Sequence, residues 1–413
     1  MNTLLIYFID PITSYFGHIQ ENLLIEILFL IAAIWASGKI FRKFKLPDVV
    51  GQLLCGIIIG PPVLGLIAIT PTMKLLAELG SFFIMLFVGL EIDLKRMMRN
   101  FKRSLAMASL GVLFPFIVGF IVAFNYLNNY AYAFFIALTM AATSIAVTER
   151  LLSHLKHLQP KDKATIIGAA AITDMMLLLL FSSFMSYLNL ETLSLVPILI
   201  NMTKLFLFFI IIGYFGFILF PKYAPRFFTP NADGFTFILL VAFIFGLISE
   251  LLGLHFVFGA FMAGLFAHDE LAGTGVYAKA TDRMYAIAHG FLGPIFFLSV
   301  ASHIVFSQLS TVLPFVIIMS ILAFTLKLIG VTLGSLSTHA FLNKSIFYGL
   351  GMNGRGAVSL VMANVAYSQG IINDQIFSII IVIAIICTIF TPFFLNKLHT
   401  QIHAKNINPI KGY

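Results

Sequence analysis

The chain has 413 residues, of which 60% are hydrophobic and only 10% are charged. A water-soluble globular protein of this length carries far more charge on its surface, so the composition excludes that class and indicates a polytopic membrane protein. The net charge of +8 does not indicate nucleic-acid binding, because Lys and Arg are concentrated in short links between apolar segments.

Apolar segments separated by polar breaks predict an all-α protein with about 13 transmembrane helices, since a helix needs ~20 apolar residues to cross a bilayer. The predicted spans are residues 20–41, 47–66, 72–92, 104–125, 130–152, 163–189, 194–220, 232–252, 254–270, 284–306, 311–338, 345–368 and 373–396. The second and ninth are short. We expect residues 1–19 to form an exterior or interfacial lead-in and residues 397–413 to form a short cytoplasmic tail.

The basic residues predict the orientation of the chain. If the N-terminus is outside, 21 of the 25 Lys and Arg residues lie in cytoplasmic loops or at cytoplasmic helix ends. Because short basic loops stay in the cytoplasm, the sequence predicts an exterior N-terminus and a cytoplasmic C-terminus. The exceptions are Lys74, Lys204, Lys327 and Arg355.

Thirteen spans divide into six, one and six, and two of them share a glycine pattern. The second span contains Gly51 and Gly56, and the ninth contains Gly259 and Gly264 with the same interval. Corresponding spans lie seven apart, so the second half would cross the membrane in the opposite direction. Inverted repeats of this kind characterise secondary transporters, with the binding site near the midplane. Close packing of membrane helices is the simpler explanation of the same glycines.

Four polar positions share the middle layer of the membrane. Asp174, Thr143, Lys327 and Arg355 come from four different spans, each roughly 15–24 Å from the start of its span at ~1.5 Å per residue. A charged side chain at this depth is costly and usually faces a cavity with a function. We therefore expect a transported cation, a transported proton, or both.

Asp174 is the predicted coupling residue. A carboxyl in apolar surroundings can hold a proton, or a hard cation such as Na+ when ionised, but not both at once. Oxygen atoms from Thr173, Thr143 and Ser144 suit such an ion. Two alternatives remain: a structural Asp174–Lys327 pair that fixes helix packing, and a Lys327 that itself releases a proton when desolvated.

Glycine and polar residues predict breaks in the fifth and twelfth spans. The residues concerned are Thr143 and Ser144 in the fifth span and Gly351, Gly354 and Gly356 in the twelfth. Each glycine costs ~1 kcal/mol relative to alanine in a helix, so a cluster of them favours unwinding. Irregular backbone at this depth lines a cavity and offers carbonyl oxygens. Arg355 keeps its proton and is expected to anchor the dipoles and carbonyls of the broken helices.

The remaining chemistry in the sequence is sparse. Glu78, Glu91, Glu149 and Glu250 lie nearer the ends of their spans and are expected to frame access funnels or to pair at interfaces. No nucleophile–base pair, phosphate-binding glycine loop or metal-ligand cluster is present in the sequence. We therefore expect neither an enzyme nor a resident cofactor.

Six segments along the chain carry a family resemblance. They are VVGQLLCGIIIGPPVLGL (49–66), LAELGSFFIMLFVGLEIDLKRMMR (76–99), ATSIAVTERLL (142–152), the sixth span with Asp174, GPIFFLSVAS (293–302) and MNGRGAVSLVMA (352–363). In this order they resemble the monovalent cation:proton antiporter superfamily, and are most similar to its bacterial NapA-like and Kef-like branch. The resemblance covers residues 20–396.

The resemblance implies a thirteen-helix NhaA-type fold with inverted repeats and two crossed broken helices, assembled as a homodimer in the bacterial inner membrane. It implies a core domain from residues 104–189 and 311–396 that moves past a dimerisation domain from 20–92 and 232–306, with a linker helix at 194–220.

The resemblance also assigns roles to residues. It implies that Asp174 binds the cation and the proton, that Lys327 is the lysine of the core, and that Thr143 and Ser144 lie at a helix break. The transported ions would be Na+, K+ or Li+ and H+.

The sequence departs from the family pattern at two positions. Electrogenic relatives carry Asp-Asp and many electroneutral ones Asn-Asp, where this chain has Thr173-Asp174. Many relatives have Arg-Gly-Glu, where this chain has Ala357 after Gly356. With one carboxylate in the site, exchange of one proton for one cation moves no net charge. The hypothesis is therefore electroneutral 1:1 antiport, unless Lys327 also gains and loses a proton.

Three functions are compatible with these features. The first is a secondary antiporter that exchanges Na+ or K+ for protons by elevator-type alternating access. The second is a cotransporter of an anionic solute on the same fold, with Arg355 and Lys327 receiving the anion. The third is a channel-like cation pathway in a Kef relative.

Overall fold

The structure, a computed structural model, describes residues 23–43, 47–67, 70–93, 100–153, 159–188, 195–219, 222, 232–271 and 275–407. The predicted lead-in at 1–19 lies outside these residues, as do several of the basic loop residues from which the orientation was predicted.

The described residues fold into helices, which we number in chain order. They are α1 (Leu23–Lys43), α2 (Asp48–Ile59), α3 (Pro71–Glu91), α4 (Phe101–Leu127), α5 (Tyr130–Ala141), α6 (Ile145–Ser153), α7 (Pro160–Leu188), α8 (Leu195–Tyr214), α9 (Ala232–Leu251), α10 (Phe256–Leu271), α11 (Gly275–Gly290), α12 (Leu292–Ser302), α13 (Phe306–Thr311), α14 (Leu313–Leu336), α15 (Leu342–Gly351), α16 (Ala357–Ser368) and α17 (Asp374–Ile407). A π-helical turn, Phe215–Leu219, follows α8. The last helix continues beyond residue 396, the predicted end of its span.

The predicted class of helical membrane protein is confirmed. Within the described ranges, eight helical segments are long and apolar enough to cross a membrane. They are Pro71–Glu91, Phe101–Leu127, Tyr130–Glu149, Lys161–Met185, Gly234–Leu251, Ala278–Ser302, Leu313–Leu336 and Asp374–Leu395. Shorter apolar helices, among them Asp48–Ile59 and Phe256–His268, fall in the second and ninth predicted spans, which the sequence also made the short ones.

Local sequence explains where several helices begin and end. Thr70 caps α3 by accepting a hydrogen bond from the backbone N–H of Met73, and Pro71 occupies the first helical position, where its missing N–H costs nothing. Asn128 ends α4 in the left-handed conformation, with φ of 50°. Its neighbour Asn129 then caps α5 by accepting from Tyr132 N–H. Two consecutive asparagines thus form the tight connection between two long apolar helices.

The helices pack in two sets. One set contains α4 to α7 and α14 to α17, with α14 packed along α4; the other contains α1 to α3 and α9 to α12, with α10 packed along α3. Contacts between the sets run from α16 to α3 and from α17 to α2, and α8 contacts both α7 and α9.

The glycines of α2 and α10 permit equivalent close contacts in the second set. A Cβ added at Gly56 of α2 would lie 2.6 Å from the carbonyl oxygen of Leu298 in α12. A Cβ added at Gly264 of α10 would lie 2.1 Å from the carbonyl oxygen of Leu86 in α3. In the six-one-six division, α2 and α10 are mates, and so are α12 and α3. The contact of α2 with α12 therefore corresponds to the contact of α10 with α3, as expected for related halves. The glycines permit close packing in both contacts, so they are compatible with an internal repeat and with close packing alone.

Candidate functional site

Two helices are interrupted at the centre of the first set, and the interruptions lie against each other. Between α5 and α6 the backbone is non-helical at residues 142–144, and between α15 and α16 it is non-helical at 352–356. The Thr143 hydroxyl donates a hydrogen bond to the Met352 carbonyl oxygen at 3.0 Å. The Ser144 backbone N–H donates to the Gly354 carbonyl oxygen at 2.9 Å. Each break thus satisfies backbone groups that the other leaves free.

The glycines of the second break make this contact sterically possible. A Cβ added at Gly356 would lie 2.2 Å from the Oγ of Ser144, and one added at Gly354 would lie 2.6 Å from Cγ1 of Val147. Gly351 is different, because an added Cβ there would meet its nearest neighbour, Ile166, at 3.7 Å, an ordinary contact. Only Gly354 and Gly356 of the three predicted glycines are therefore required by close approach.

Two cationic side chains meet the C-terminal end of α5. Lys327 is fully buried, and its Nζ donates to the carbonyl oxygen of Ala141, the last helical residue, at 2.6 Å. The buried guanidinium of Arg355 donates to the next carbonyl oxygen, that of Ala142, and to that of Ala323 in α14 at 2.9 Å. A helix C-terminus carries partial negative charge, so both cations stabilise it.

The backbone of Arg355 is fixed as well. Its N–H donates to Thr388 Oγ1 at 2.9 Å, and the same hydroxyl donates to the Arg355 carbonyl oxygen at 3.0 Å. Thr388 belongs to α17, so one residue joins the break to α17 by its backbone and to α5 and α14 by its side chain. Arg355 thus contacts backbone carbonyls beside the break, and its role as an anchor stays a prediction.

Asp174 lies in the middle of α7 and is fully buried. Neither of its carboxylate oxygens has a hydrogen-bond partner among the described residues, and the Oγ1 of Thr173 is likewise buried and unpartnered. The Oδ1 of Asn353, in the second break, is a further buried oxygen of this kind within the described chain. Buried polar groups are normally satisfied, so each of these oxygens lacks the partner that such a group usually has.

A structural ion pair between Asp174 and Lys327 was one alternative left open by the sequence, and this pair is not formed in the described residues. The lysine donates to the Ala141 carbonyl instead. The Asp174 carboxylate therefore has no direct partner among the described residues.

A vestibule of about 400 Å³ reaches the crossing of the broken helices. Its lining includes Glu91, Ala146, Val147, Glu149 and His289. Val147 also faces Gly354, so the inner end of the vestibule lies at the broken backbone. Glu149 pairs with Lys163 at 3.1 Å. Glu91 and Glu149 thus line this vestibule, and that they frame an access route stays a prediction.

Several polar residues at or beside the helix breaks were not predicted from the sequence. The Thr148 hydroxyl donates to the Gly351 carbonyl oxygen at 3.1 Å, and Thr388 holds Arg355. The unpartnered oxygen of Asn353 was also missed. Polar residues within otherwise apolar spans were the available signal, but the sequence does not show which of them face the site.

The chain is similar to known proteins over most of its length. Residues 27–397 match the family described as sodium/hydrogen exchanger, transmembrane. The probable Na+/H+ antiporter GerT of Bacillus cereus is 31% identical over 375 residues, which cover 90% of this chain and 98% of that protein. The Na+/H+-K+ antiporter GerN of the same organism is 29% identical, covering 89% and 95%, and the Na+/H+ antiporter of Enterococcus hirae is 28% identical, covering 92% and 99%.

The fold has a solved counterpart. The sodium proton antiporter MjNhaP1 from Methanocaldococcus jannaschii superposes with a TM-score of 0.69 over 92% of this chain and 99% of that one, at 18% identity. The family match spans most of the chain, and the relatives are transporters rather than enzymes. The chain therefore belongs to the sodium/hydrogen exchanger family, the monovalent cation:proton antiporters.

Proposed function

We propose that this protein exchanges a monovalent cation, Na+ or K+, for protons, with Asp174 as the shared binding residue. The observation that carries the proposal is a fully buried carboxylate whose two oxygens have no partner in the described residues. A buried charge without a counter-ion is costly, so the group is stable only with a proton or a cation bound. Competition of the two for one carboxylate is the basis of exchange. The names of the similar antiporters support the same ions.

The cation ligands would be oxygen atoms near the broken helices. Thr173 Oγ1 and Asp174 come from α7, and the hydroxyls of Thr143 and Ser144 lie in the first break. The Thr143 hydroxyl donates its hydrogen bond and the Ser144 Oγ accepts one from the Val147 N–H, so each keeps a lone pair for a cation. Hard alkali cations favour such oxygen donors.

The exchange would be electroneutral, one cation for one proton. Thr173 occupies the position where electrogenic relatives have a second carboxylate. Lys327 donates to a backbone carbonyl, which an ammonium can do while keeping its proton. Only Asp174 then changes occupant during the cycle.

Alternating access would follow the division into two helix sets. The set with α4 to α7 and α14 to α17 carries the site and would move as the core domain, while the other set would form the dimerisation domain of a homodimer. Contacts between the sets are limited to a few helices, and α8 touches both, as a linker would. The basic loops favour an exterior N-terminus in the bacterial inner membrane, and with that orientation the vestibule would open on the cytoplasmic side.

Anion cotransport has less support. Both cations that could receive an anion, Lys327 and Arg355, already donate to backbone carbonyls. A channel has less support too, because Asp174 is sealed from the surface in this structure.

Proton release from the purified protein in proteoliposomes tests the proposal. Addition of Na+, K+ or Li+ should release protons, and the half-saturating cation concentration should rise as the pH falls, because protons compete for the same carboxylate. Asp174→Asn should abolish the response, while Asp282→Asn, an exposed change on α11, should leave it intact. Cation-dependent proton release that survives Asp174→Asn would remove Asp174 from this role.

A further inference from the structure

Both halves of the broken helix formed by α15 and α16 are fastened to a neighbouring helix by the same kind of contact, in α15 one turn before the break and in α16 near its outer end. The Tyr348 hydroxyl of α15 donates to Asp162 Oδ1 at 2.6 Å, and the Tyr367 hydroxyl of α16 donates to Asp374 Oδ1 at 2.6 Å. Asp162 lies in the first turn of α7 and Asp374 in the first turn of α17. Helix N-termini stabilise negative charge, so both aspartates are favoured as ionised acceptors.

The first contact ties α15 to the helix that carries the binding residue. Tyr348 is fully buried and Asp162 is nearly so. Lys344, on the same face of α15, adds an ion pair to Asp162 Oδ1 at 2.7 Å. Asp174 follows Asp162 by twelve residues, about 18 Å along α7 at 1.5 Å per residue. Tyr348 precedes Met352, whose carbonyl accepts from Thr143, by one helical turn.

The second contact ties α16 to α17 in a similar way. Arg355, just before α16, is bonded through its backbone to Thr388 of α17, and Tyr367, near the other end of α16, is bonded to Asp374 of α17. The ring of Tyr367 also stacks on Phe377 of α17, with centroids 4.5 Å apart. The α16 half is therefore held to one neighbour at both of its ends.

We propose that Tyr348–Asp162 and Tyr367–Asp374 are a pair of clamps that set the axial position of the two half-helices, and so hold the segment 352–356 in register with the break at 142–144 and with Asp174. The four residues are positioning residues: they act through the backbone at the break and not by touching the ion. This inference rests on the proposed function and identifies residues that tune the same site.

The geometry explains why tyrosine is used. A charge-assisted hydrogen bond to a carboxylate is short and strong, and that of Tyr348, which is buried, is weakened little by water. A half-helix has free ends at the break, so an anchor on a neighbouring helix fixes its position along the membrane normal. Binding oxygens lose their effect when they shift by a fraction of an ångström.

The test compares Tyr348→Phe and Tyr367→Phe with Tyr126→Phe, in cation-driven proton exchange by the full chain in proteoliposomes. Tyr126 is 55% exposed on α4, and its ring stacks on Phe315, away from the breaks. Each clamp variant should raise the half-saturating Na+ or K+ concentration about tenfold, the low end of what loss of a ligand-orienting contact costs. The Tyr126 variant should match the wild type.

The half-saturating cation concentration distinguishes a misplaced site from poor folding. Poor folding lowers the amount of active protein and hence the maximal rate, but leaves the half-saturating concentration unchanged. Asp162→Asn keeps an oxygen acceptor for Tyr348 and should be milder than Asp162→Ala, whereas Tyr348→Phe in the Asp162→Ala background should cause no further loss.

The clamps would be overturned if both phenylalanine variants had the half-saturating cation concentration of the wild type, or if the losses of Tyr348→Phe and Asp162→Ala added up in the double variant. If the wild type still exchanges cations for protons in a way that depends on Asp174, either result leaves the proposed function intact. A wild type without cation-dependent proton exchange overturns the proposed function itself.

Discussion

The ammonium of Lys327 lies 2.6 Å from the carbonyl oxygen of Ala141, at the C-terminal end of the half-helix α5. A positive charge at this end offsets the partial negative charge of the unpaired carbonyls. Because Arg355 reaches the adjacent carbonyl of Ala142, the end of α5 is held by two cations while Asp174 is left without a partner. The residues that support the broken helix are therefore distinct from Asp174, the residue proposed to bind the ion.

The support provided by Lys327 leads to a first prediction. Lys327→Met leaves a buried carbonyl unsatisfied and should lower the free energy of unfolding by about 1–3 kcal/mol, whereas Lys327→Gln retains an N–H donor and should lose less. Both variants should still exchange one proton per cation. Thermal unfolding in detergent and the ratio of proton to cation flux check the two parts. A ratio that falls from two protons to one in these variants would make Lys327 a proton carrier instead.

A second prediction concerns the membrane potential. One net charge moving through 100 mV is worth about 2.3 kcal/mol, roughly a fiftyfold change in an equilibrium ratio. An electroneutral cycle with Asp174 as the sole exchanging group should show no such dependence. Sodium flux into proteoliposomes with an imposed potential, at equal pH on both sides, should therefore match flux without the potential. Accumulation driven by the potential alone would reject 1:1 exchange.

The residue types in the sequence predicted the positions of the helix breaks, but not the contacts that the residues at these breaks make with other helices. Thr143 and Ser144 in one span, and a glycine cluster around Arg355 in another, identify where an apolar helix is weak, because propensity is a local property. The structure interrupts the helices at these residues. The charge of Arg355 at the centre of an apolar span likewise indicates an anchor, since a fixed cation there must find acceptors.

Contacts between distant spans could not be read in the same way. Lys327 has acceptors of two kinds within the site, the Asp174 carboxylate and the α5 carbonyls, and the choice depends on distances across four helices. The clamp formed by Tyr348 and Asp162 joins residues 186 positions apart. The hydrophobic periodicity of the sequence does not show a contact between residues so far apart, and tyrosines are common in apolar spans. The sequence therefore predicts the depth of the site in the membrane but not the side-chain contacts within it.

The crossing of the broken helices supports a third prediction. Gly356→Ala would bring a methyl group against the Ser144 side chain, whereas Gly351→Ala finds ordinary contact distances. Transport should be lost or reduced more than tenfold in the first variant, because misplacement of about 1 Å in a binding site can cost as much as a hundredfold. The Gly351 variant should remain close to the wild type.

A compensating change tests the cause of that loss. The atoms nearest to the added methyl group are Oγ and Cβ of Ser144, so Ser144→Gly in the Gly356→Ala background should recover part of the transport rate. If the double variant is no better than Gly356→Ala alone, steric contact with Ser144 is not the reason for the defect.

The vestibule supports a final prediction, for Glu91. Its side chain lines the cavity, and its Oε2 is buried without a hydrogen-bond partner in the described residues. Glu91 is also the last residue of α3, where the helix dipole disfavours an anion, whereas Asp48 of the same lining lies in the first turn of α2, where the dipole favours one. An ionised Glu91 is therefore less well compensated than an ionised Asp48, and a cation in the vestibule stabilises it more. At a pH at which Glu91 is ionised, Glu91→Gln should raise the half-saturating cation concentration when the cation is supplied on the vestibule side, and not when it is supplied from the opposite side.

Glu78→Gln is the matched control, because Glu78 lies on the same helix but lines a different pocket, with Glu250. Uptake into sealed vesicles of both orientations separates the two sides of the membrane. A change of about threefold to tenfold corresponds to roughly 0.7–1.4 kcal/mol, which is reasonable for one partly screened charge near the path of the ion. Equal effects of the two glutamine variants would mean that general surface charge, and not the position of Glu91 in the lining of the vestibule, attracts the cation.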